Sequence, residues 1–293
     1  MARARASAAM RIDHAQVDGR RIRFGVRPGD PSRLPLLLLN GLGANIELMQ
    51  PFVDALPACT IVMFDVPGVG GSPTPSSPYR VGSVARLAER LLDQLGIGNA
   101  DVLGVSWGGV IAQEFALRNP VRCRRLVLAA TATGALMVPG HPAALVKMIT
   151  PRRYLDREHS RRVAGEIYGG DFRRDDKLHE HTMRHIRFES RSGYYMQLAA
   201  AFGWTSVPWL WMLRQPTLIM AGEDDPIVPP VNAQIMAWLI PDSRVAMLDC
   251  GHLFLITRPD ASGRHVDDFL REPRAREGAQ SGRRRQPSRT TKP

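Results

Sequence analysis

The sequence predicts an α/β fold in which helices cover both faces of a mostly parallel, doubly wound sheet, with a helical cap inserted into it. Two observations predict the sheet: short apolar runs alternate with helical patterns, and a Gly104-Val105-Ser106-Trp107-Gly108 motif joins one such run to a helix. A third observation predicts the cap, because the alternation stops near residue 133 and resumes near residue 214.

The elements follow that alternation in chain order. Apolar runs favour strands at residues 21–26, 35–40, 60–65, 101–105, 125–130, 217–221 and 244–248. Apolar periodicity favours helices at residues 45–56, 81–95, 107–117 and 260–271, with further helical patterns at 142–149 and 179–188. The predicted organisation is a first core segment at 11–132, a cap at 133–213, a second core segment at 214–271 and a disordered basic tail at 272–293.

Composition favours a protein with one full hydrophobic core. The chain has 293 residues, of which 44% are hydrophobic, and no apolar run approaches the roughly 18 residues of a membrane span. Residues 1–10 lack the apolar region of a secretory signal. We therefore expect a soluble chain without a transmembrane segment. The three cysteines are too far apart for a metal site and are interpreted as core thiols.

The net charge of +11 is concentrated at the ends of the chain. Residues 271–293 hold eight Lys or Arg against two Glu, in a segment without apolar periodicity. Such a tail is either a solubilising end or an electrostatic tether to an anionic surface or to nucleic acid. Because the middle of the chain carries little excess charge, no specific nucleic-acid partner is expected.

Ser106 is the candidate nucleophile. In a G-x-S-x-G motif set between strand and helix, a sharp turn holds the serine hydroxyl clear of the sheet, and the glycines remove side chains that would collide there. A chance match is the alternative in a chain with 26 glycines. A base and an acid further along the chain decide between these two interpretations.

Both partners are present in the order that the chemistry needs. The strand at 217–221 runs into an acidic loop with three candidate acids, Glu223, Asp224 and Asp225. The strand at 244–248 is followed by a glycine-loosened loop that carries His252, the candidate base. Ser106 and His252 therefore point to a serine hydrolase.

This arrangement resembles the alpha/beta-hydrolases, and the resemblance implies further roles. Asp225 matches the acid of the G-x-x-D-x-x-x-P pattern, which here runs from residue 222 to 229. The backbone amides of Leu42 and Trp107 match the two oxyanion donors of these enzymes. Asn40 stands where the family usually has histidine, and we expect it to shape the loop rather than to take part in the chemistry.

Aromatic residues are concentrated near the end of the predicted cap. Trp204, Trp209 and Trp211 lie within eight residues of one another. The cluster is a candidate apolar entrance for substrate. The alternative is that these side chains pack the cap onto the core.

Over residues 15–270 the chain resembles the intracellular medium-chain-length poly(3-hydroxyalkanoate) depolymerases of bacteria. The most specific stretches lie at residues 64–72, 104–109, 126–134, 151–154, 167–170, 203–206 and 251–258. The resemblance implies hydrolysis of a stored polyester to 3-hydroxy acids through an acyl-enzyme on Ser106. It also implies a cytoplasmic enzyme at the storage-granule surface, with the granule and its coat proteins as partners and without a metal or organic cofactor.

Three rival functions stay open at this point. A carbon-carbon bond hydrolase would use the same triad, and a small-ester esterase would differ only in its cap. A granule-associated binding protein would carry an inactive copy of the site. Ser106 excludes haloalkane dehalogenases and epoxide hydrolases, which need aspartate there, and related polyester synthases, which need cysteine.

Overall fold

The computed structural model describes residues 9–183 and 186–273, which form an eight-stranded sheet with helices on both faces. The strands are β1 (Arg11–Val17), β2 (Arg20–Arg27), β3 (Leu36–Leu39), β4 (Ile61–Phe64), β5 (Ala100–Val105), β6 (Cys123–Ala129), β7 (Thr217–Gly222) and β8 (Ser243–Leu248). Their spatial order is β1-β2-β4-β3-β5-β6-β7-β8. β2 is antiparallel to both of its neighbours, and the other pairs are parallel. The predicted fold class is confirmed.

The described helices lie before, within and after an insertion between β6 and β7. They are α1 (Gln50–Asp54), α2 (Val81–Gln94), α3 (Trp107–Arg118), α4 (Pro142–Met148), α5 (Arg152–Leu155), α6 (Arg157–Tyr168), α7 (Asp171–Arg174), α8 (Asp176–Met183), α9 (Arg191–Ala201), α10 (Val231–Leu239), α11 (Phe254–Thr257) and α12 (Pro259–Arg271). Short 3₁₀ turns lie at Ile46–Met49 and Leu210–Met212. The predicted helix at 45–56 is thus split into the first of these turns and α1, which begins at Gln50 with Pro51 in its first turn.

The strands bury both of their faces. Leu37 and Leu39 of β3 pack into the core under α2 and α3, whereas Leu36 and Leu38 pack on the opposite face with α1, α11 and α12. This alternation is the period of a strand, and burial on both faces is typical of parallel sheets. It explains why β3 is a continuous run of leucines.

Helices α4 to α9 occupy the place of a simple crossover between β6 and β7. Ile167 and Tyr168 at the end of α6 share an apolar cluster with Ile227 and Val228, which follow β7. The inserted helices therefore cover the edge of the sheet where the parallel strands end. The cap boundaries at residues 133 and 213 stay a prediction.

One predicted helix is partly wrong, and one strand is missing from the predictions. The helix predicted at 179–188 is wrong in its second half, because α8 ends at Met183 and residues 186–190 are not helical. There the amide of Arg187 donates to the side-chain oxygen of Asn45 over 3.1 Å, a tertiary contact that replaces a helical one. The strand β1 was not predicted, since this edge strand is mostly exposed and polar.

Most of the predicted basic tail, residues 274–293, lies outside the described residues. Within the described ranges, none of the helices is both long and apolar enough to cross a membrane. Strands β3, β5, β7 and β8 are parallel, and their carboxyl ends meet at one edge of the sheet, where ligands bind in open α/β sheets.

Candidate active site

Ser106 stands at the sharp turn between β5 and α3. Its φ of 54° and ψ of −118° lie in a region that residues with a side chain rarely adopt. A Cβ on Gly104 would lie 2.3 Å from the carbonyl oxygen of Gly108, and a Cβ on Gly108 would lie 2.0 Å from that of Leu39. Both motif glycines are therefore required by close backbone approach, and together they allow the turn that presents the serine hydroxyl.

The structure brings Ser106, Asp225 and His252 into one hydrogen-bonded row. Nε2 of His252 lies 3.0 Å from Oγ of Ser106, and Nδ1 lies 2.7 Å from Oδ2 of Asp225. The other carboxylate oxygen accepts the amides of Ile227 and Val228, each at 2.9 Å. The carboxylate thus favours the proton on Nδ1, which leaves Nε2 to accept the proton of the serine.

The other two candidate acids point elsewhere. The carboxylate of Asp224 accepts the amide of Gly170 at 2.7 Å and pairs with Arg173 at 2.6 Å. It therefore joins the acidic loop to the inserted helices. Glu223 is exposed. Of the three acids, Asp225 is the one in contact with the histidine.

Leu42 and Trp107, whose amides are the predicted oxyanion donors, both lie close to the serine. Trp107 is the first residue of α3, so its amide has no acceptor within the helix. Leu42 lines the same cavity as Ser106, and a Cβ on the adjacent Gly41 would lie 3.5 Å from the serine Cβ. The arrangement is suited to hold a negative oxygen above the nucleophile.

The loop after β3, residues 40–45, carries the predicted oxyanion donor Leu42 and is called the oxyanion loop below. Side-chain hydrogen bonds fix it. Nδ2 of Asn40 donates to the carbonyl of Asn45 at 2.8 Å, and Oε1 of Gln197 accepts the amide of Gly43 at 2.8 Å. The carbonyl of Gln197 also accepts the indole N–H of Trp107 at 3.0 Å. These contacts are consistent with Asn40 as a residue that shapes the loop.

An apolar cavity extends from Ser106 and His252 to the inserted helices. Its walls combine residues of the sheet edge with residues of the insertion: Leu48, Met49, Met148, Phe172, Ile186, Leu253, Leu255 and Ile256. Arg153, Tyr154 and Tyr168 contribute polar atoms to the lining. The stretches 151–154 and 167–170 contribute to the resemblance, but the sequence predicted no site role for these three residues. Neither stretch shows an apolar periodicity that would indicate that its side chains line a cavity.

The three tryptophans lie away from this cavity. Trp204 and Trp209 form a T-shaped pair with ring centroids 5.8 Å apart and pack against the core that contains α3. Trp211 is 58% exposed. The segment that carries them leads into β7 and contacts α10 instead of crossing the carboxyl edge. They therefore do not form an entrance at Ser106, and a polymer contact elsewhere on the surface stays a prediction.

Cys250, two residues before the candidate base, is buried, and burial raises the pKa of its thiol to about 12. It is thus a protonated core thiol at neutral pH, as are thiols in apolar surroundings generally. The other two cysteines are also buried and free. In the part of the chain that the structure describes, no group of three His, Cys, Asp or Glu side chains could hold a metal ion.

Three features define the class of protein to which this chain belongs. They are the doubly wound sheet, the serine at the strand-to-helix turn and the histidine after β8. The model of the alpha/beta hydrolase fold family matches residues 35–259, and the chain belongs to that family. A similar fold is found in the enol-lactonase from Burkholderia xenovorans LB400, with a TM-score of 0.76 and 25% identity over 89% of this chain and 100% of that one.

Among curated relatives, the chain is 50% identical over 262 residues to the poly(3-hydroxyalkanoate) depolymerase of Ectopseudomonas oleovorans. The match covers 89% of this chain and 93% of the relative. The resemblance to poly(3-hydroxyalkanoate) depolymerases is confirmed. A 3-oxoadipate enol-lactonase of Acinetobacter baylyi is 25% identical over 83% of this chain and 91% of its own length.

Proposed function

We propose that this chain is a serine ester hydrolase that depolymerises poly(3-hydroxyalkanoate) to 3-hydroxy acids. The hydrogen-bonded row of Ser106, His252 and Asp225 at an apolar cavity is the observation that carries the proposal. The 50% identity to a poly(3-hydroxyalkanoate) depolymerase along nearly the whole chain supports the substrate class.

In the proposed mechanism, Nε2 of His252 takes the proton of Ser106 as the hydroxyl attacks the ester carbonyl. Asp225 holds the imidazole and stabilises its positive charge. The amides of Leu42 and Trp107 bind the oxyanion, and losing one such donor typically raises the barrier by about 3 kcal/mol. The imidazolium then protonates the leaving alcohol. Water activated by the same histidine releases the acid from the acyl-enzyme.

The apolar lining of the cavity suits a substrate with an alkyl side chain. Aliphatic side chains of Leu48, Met148, Ile186 and Ile256 line it, and such walls favour apolar groups over water. A medium-chain monomer would bury its alkyl branch here. We therefore extend the proposal to medium-chain-length polyester, held on storage granules inside the cell with their coat proteins nearby.

The test is an assay of the purified protein on granules of medium-chain and short-chain polyester and on a soluble p-nitrophenyl ester. We expect acid release from medium-chain granules and from the soluble ester, and loss of both with Ser106→Ala. Release of soluble acid is measured by titration and by chromatography of the 3-hydroxy acids.

The same assay separates the rival functions. Turnover of the soluble ester without any release from granules would indicate a small-ester esterase. A protein that binds granules but does not label with a fluorophosphonate probe would be a binding protein with an inactive site. Cleavage of vinylogous diketo acids without ester hydrolysis would indicate a carbon-carbon bond hydrolase.

A further inference from the structure

The cavity beside Ser106 contains a buried cation. Arg153 lies on the short helix α5 and lines the cavity, yet only 2% of its surface is exposed. Lysine and arginine are rarely this deeply buried unless they are paired with an anion. The partners of this guanidinium therefore decide what it does.

The partners of Arg153 are aromatic. Nη1 donates to the hydroxyl of Tyr194 at 2.6 Å, and Nη2 donates to that of Tyr154 at 3.2 Å. The guanidinium carbon lies 4.3 Å from the ring centroid of Tyr154 and 5.2 Å from that of Tyr194. The Nε–H has no hydrogen-bond partner among the described residues.

These contacts supply no negative charge at neutral pH. Tyr168 also interacts with Arg153. Burial raises the pKa of Tyr168 to about 12 and that of Tyr194 still further, so both phenols stay protonated. Of the described residues that line the cavity, none is Asp or Glu. The nearby carboxylate of Asp225 is already bound to His252. The guanidinium thus lacks a counter-ion within the cavity.

A hydrogen bond connects the same guanidinium to the oxyanion loop. The hydroxyl of Tyr154, which accepts from Arg153, donates to the carbonyl of Leu42 at 2.7 Å. One tyrosine therefore separates the cation from the loop that holds the reacting carbonyl. Ser106 lines the same cavity as Arg153.

We propose that Arg153 binds the carboxylate of a 3-hydroxyalkanoate, which the released acid and the free acid end of the polymer both carry. The buried guanidinium of Arg153 lines the cavity and keeps an unpartnered Nε–H among the described residues. A carboxylate, which accepts two N–H groups in one plane, is the anion that matches a guanidinium. In the leaving 3-hydroxy acid, two carbons separate the leaving oxygen from the carboxyl group. The proposal therefore places one end of this short acid at the histidine and the other at Arg153, which line the same cavity.

This inference rests on the proposed function, because that function identifies the bound acid as a 3-hydroxyalkanoate. The presence of a carboxylate site does not depend on it. Binding is tested through inhibition of p-nitrophenyl octanoate hydrolysis, which does not depend on polymer cleavage. The probes are 3-hydroxyoctanoate and its neutral amide. The variants are Arg153→Met, Arg153→Lys and, as a matched control on the same helix, Arg152→Met, whose side chain is exposed and pairs with Asp156.

For the unmodified protein we expect the acid to inhibit about tenfold more strongly than the amide, the size typical of a charged hydrogen bond. Arg153→Met should remove this preference, Arg153→Lys should keep part of it, and Arg152→Met should keep all of it. If Arg153 only holds the tyrosines in place, Arg153→Met should weaken inhibition by the acid and by the amide equally. That result would overturn the proposal. Absence of any acid preference in the unmodified protein, both in this inhibition assay and with the dimers described next, would overturn it whatever the variants do.

A second arm separates the two sources of the carboxylate. Dimers of 3-hydroxyoctanoate with a free acid end and with a methyl-ester end are compared by kcat/KM. An Arg153-dependent preference for the free-acid dimer assigns the site to the chain end, and monomer inhibition alone assigns it to the released acid. If neither preference exists, the carboxylate site is wrong, while granule hydrolysis still tests the polyester function separately.

Discussion

The backbone amide of His252 donates a hydrogen bond of 2.7 Å to the carbonyl oxygen of Tyr168, the last residue of α6. The loop with the candidate base is therefore held by the inserted helices as well as by the sheet. The contact is close, since a Cβ on Gly170 would lie 2.0 Å from the amide nitrogen of Gly251. The packing of the insertion should thus control the position of the imidazole.

The first prediction is that Gly251→Ala lowers kcat while leaving most of the fold intact. Its Cβ would lie 2.0 Å from the carbonyl oxygen of Tyr168, closer than real atoms approach, so the histidine loop must move. A displacement of about 1 Å in a catalytic group can cost about 10²-fold in rate. The measurement is kcat on a soluble ester, with circular dichroism as the test of folding.

The matched control is Gly98→Ala, because a Cβ at Gly98 meets no atom within 4 Å. We expect normal turnover for this variant. Equal kcat for Gly251→Ala and Gly98→Ala would show that the contact with Tyr168 does not position His252.

The second prediction separates the two neighbouring aspartates. Asp225→Asn should lower kcat by about 10⁴-fold, because the amide favours the wrong imidazole tautomer. Asp224→Asn should leave kcat within about threefold and cost about 1 kcal/mol of stability, since it loses a half-exposed ion pair with Arg173 and weakens the bond to Gly170. Kinetics and urea unfolding are measured on both variants. The acid assignment is wrong if the two kinetic outcomes are reversed.

The third prediction is that Ser106 and His252 act together in the hydrogen-bonded row. Ser106→Ala, His252→Ala and the double variant should show nearly the same residual rate, because groups that act together fail together. Their stabilities should stay close to that of the unmodified chain. A double variant much slower than either single one would mean that the serine and the histidine act independently.

The site could be predicted largely because each residue follows a strand. In a parallel sheet the strand ends share one edge, so the turns after β5, β7 and β8 bring Ser106, Asp225 and His252 together. Their order in the sequence and the glycines around the serine carry that information locally. This is why the fold class and the positions of the three residues could be proposed without coordinates.

The inserted helices could not be predicted to the same depth. Their side chains are placed by tertiary contacts, such as Tyr154 on Leu42 and Tyr194 on Arg153, that no periodicity encodes. The interpretation of the tryptophan cluster as an entrance fails at Ser106 for the same reason. Proximity in sequence does not indicate which surface the rings face. Residue 153 is polar in a basic run, so its burial is visible only in the fold.

The fourth prediction concerns acid stability and Glu47, next to the oxyanion loop. Burial alone would raise the pKa of Glu47, but hydrogen bonds from Arg23 and Asn45 lower it to about 2. The pKa of this carboxylate is lower in the folded protein than its value of about 4.5 in the unfolded chain. The carboxylate therefore stabilises the folded protein fully at pH values above about 4.5. This stabilisation is lost as the pH falls from about 5 toward 2.

We expect Glu47→Gln to lower the free energy of unfolding at pH 7 by about 1 to 2 kcal/mol, allowing for partial solvent screening. The difference from the unmodified chain should shrink at pH 3. Urea titrations at both pH values measure it, and Glu158→Gln, at an exposed position of α6, is the control. A difference that is the same at both pH values would contradict the role of the carboxylate charge.

The last prediction tests the tryptophans on the surface and beneath it. Trp204 is partly buried against the core, and its indole N–H donates to the carboxylate of Glu114 at 3.2 Å. Trp204→Ala should therefore cost about 2 kcal/mol of stability, whereas Trp211→Ala should cost less than about 0.5 kcal/mol because Trp211 is mostly exposed. Since neither side chain lines the cavity, we expect each variant to affect granules and soluble ester equally once the folded fraction is matched. A loss confined to granules in Trp211→Ala would instead place the polymer surface against this side of the molecule.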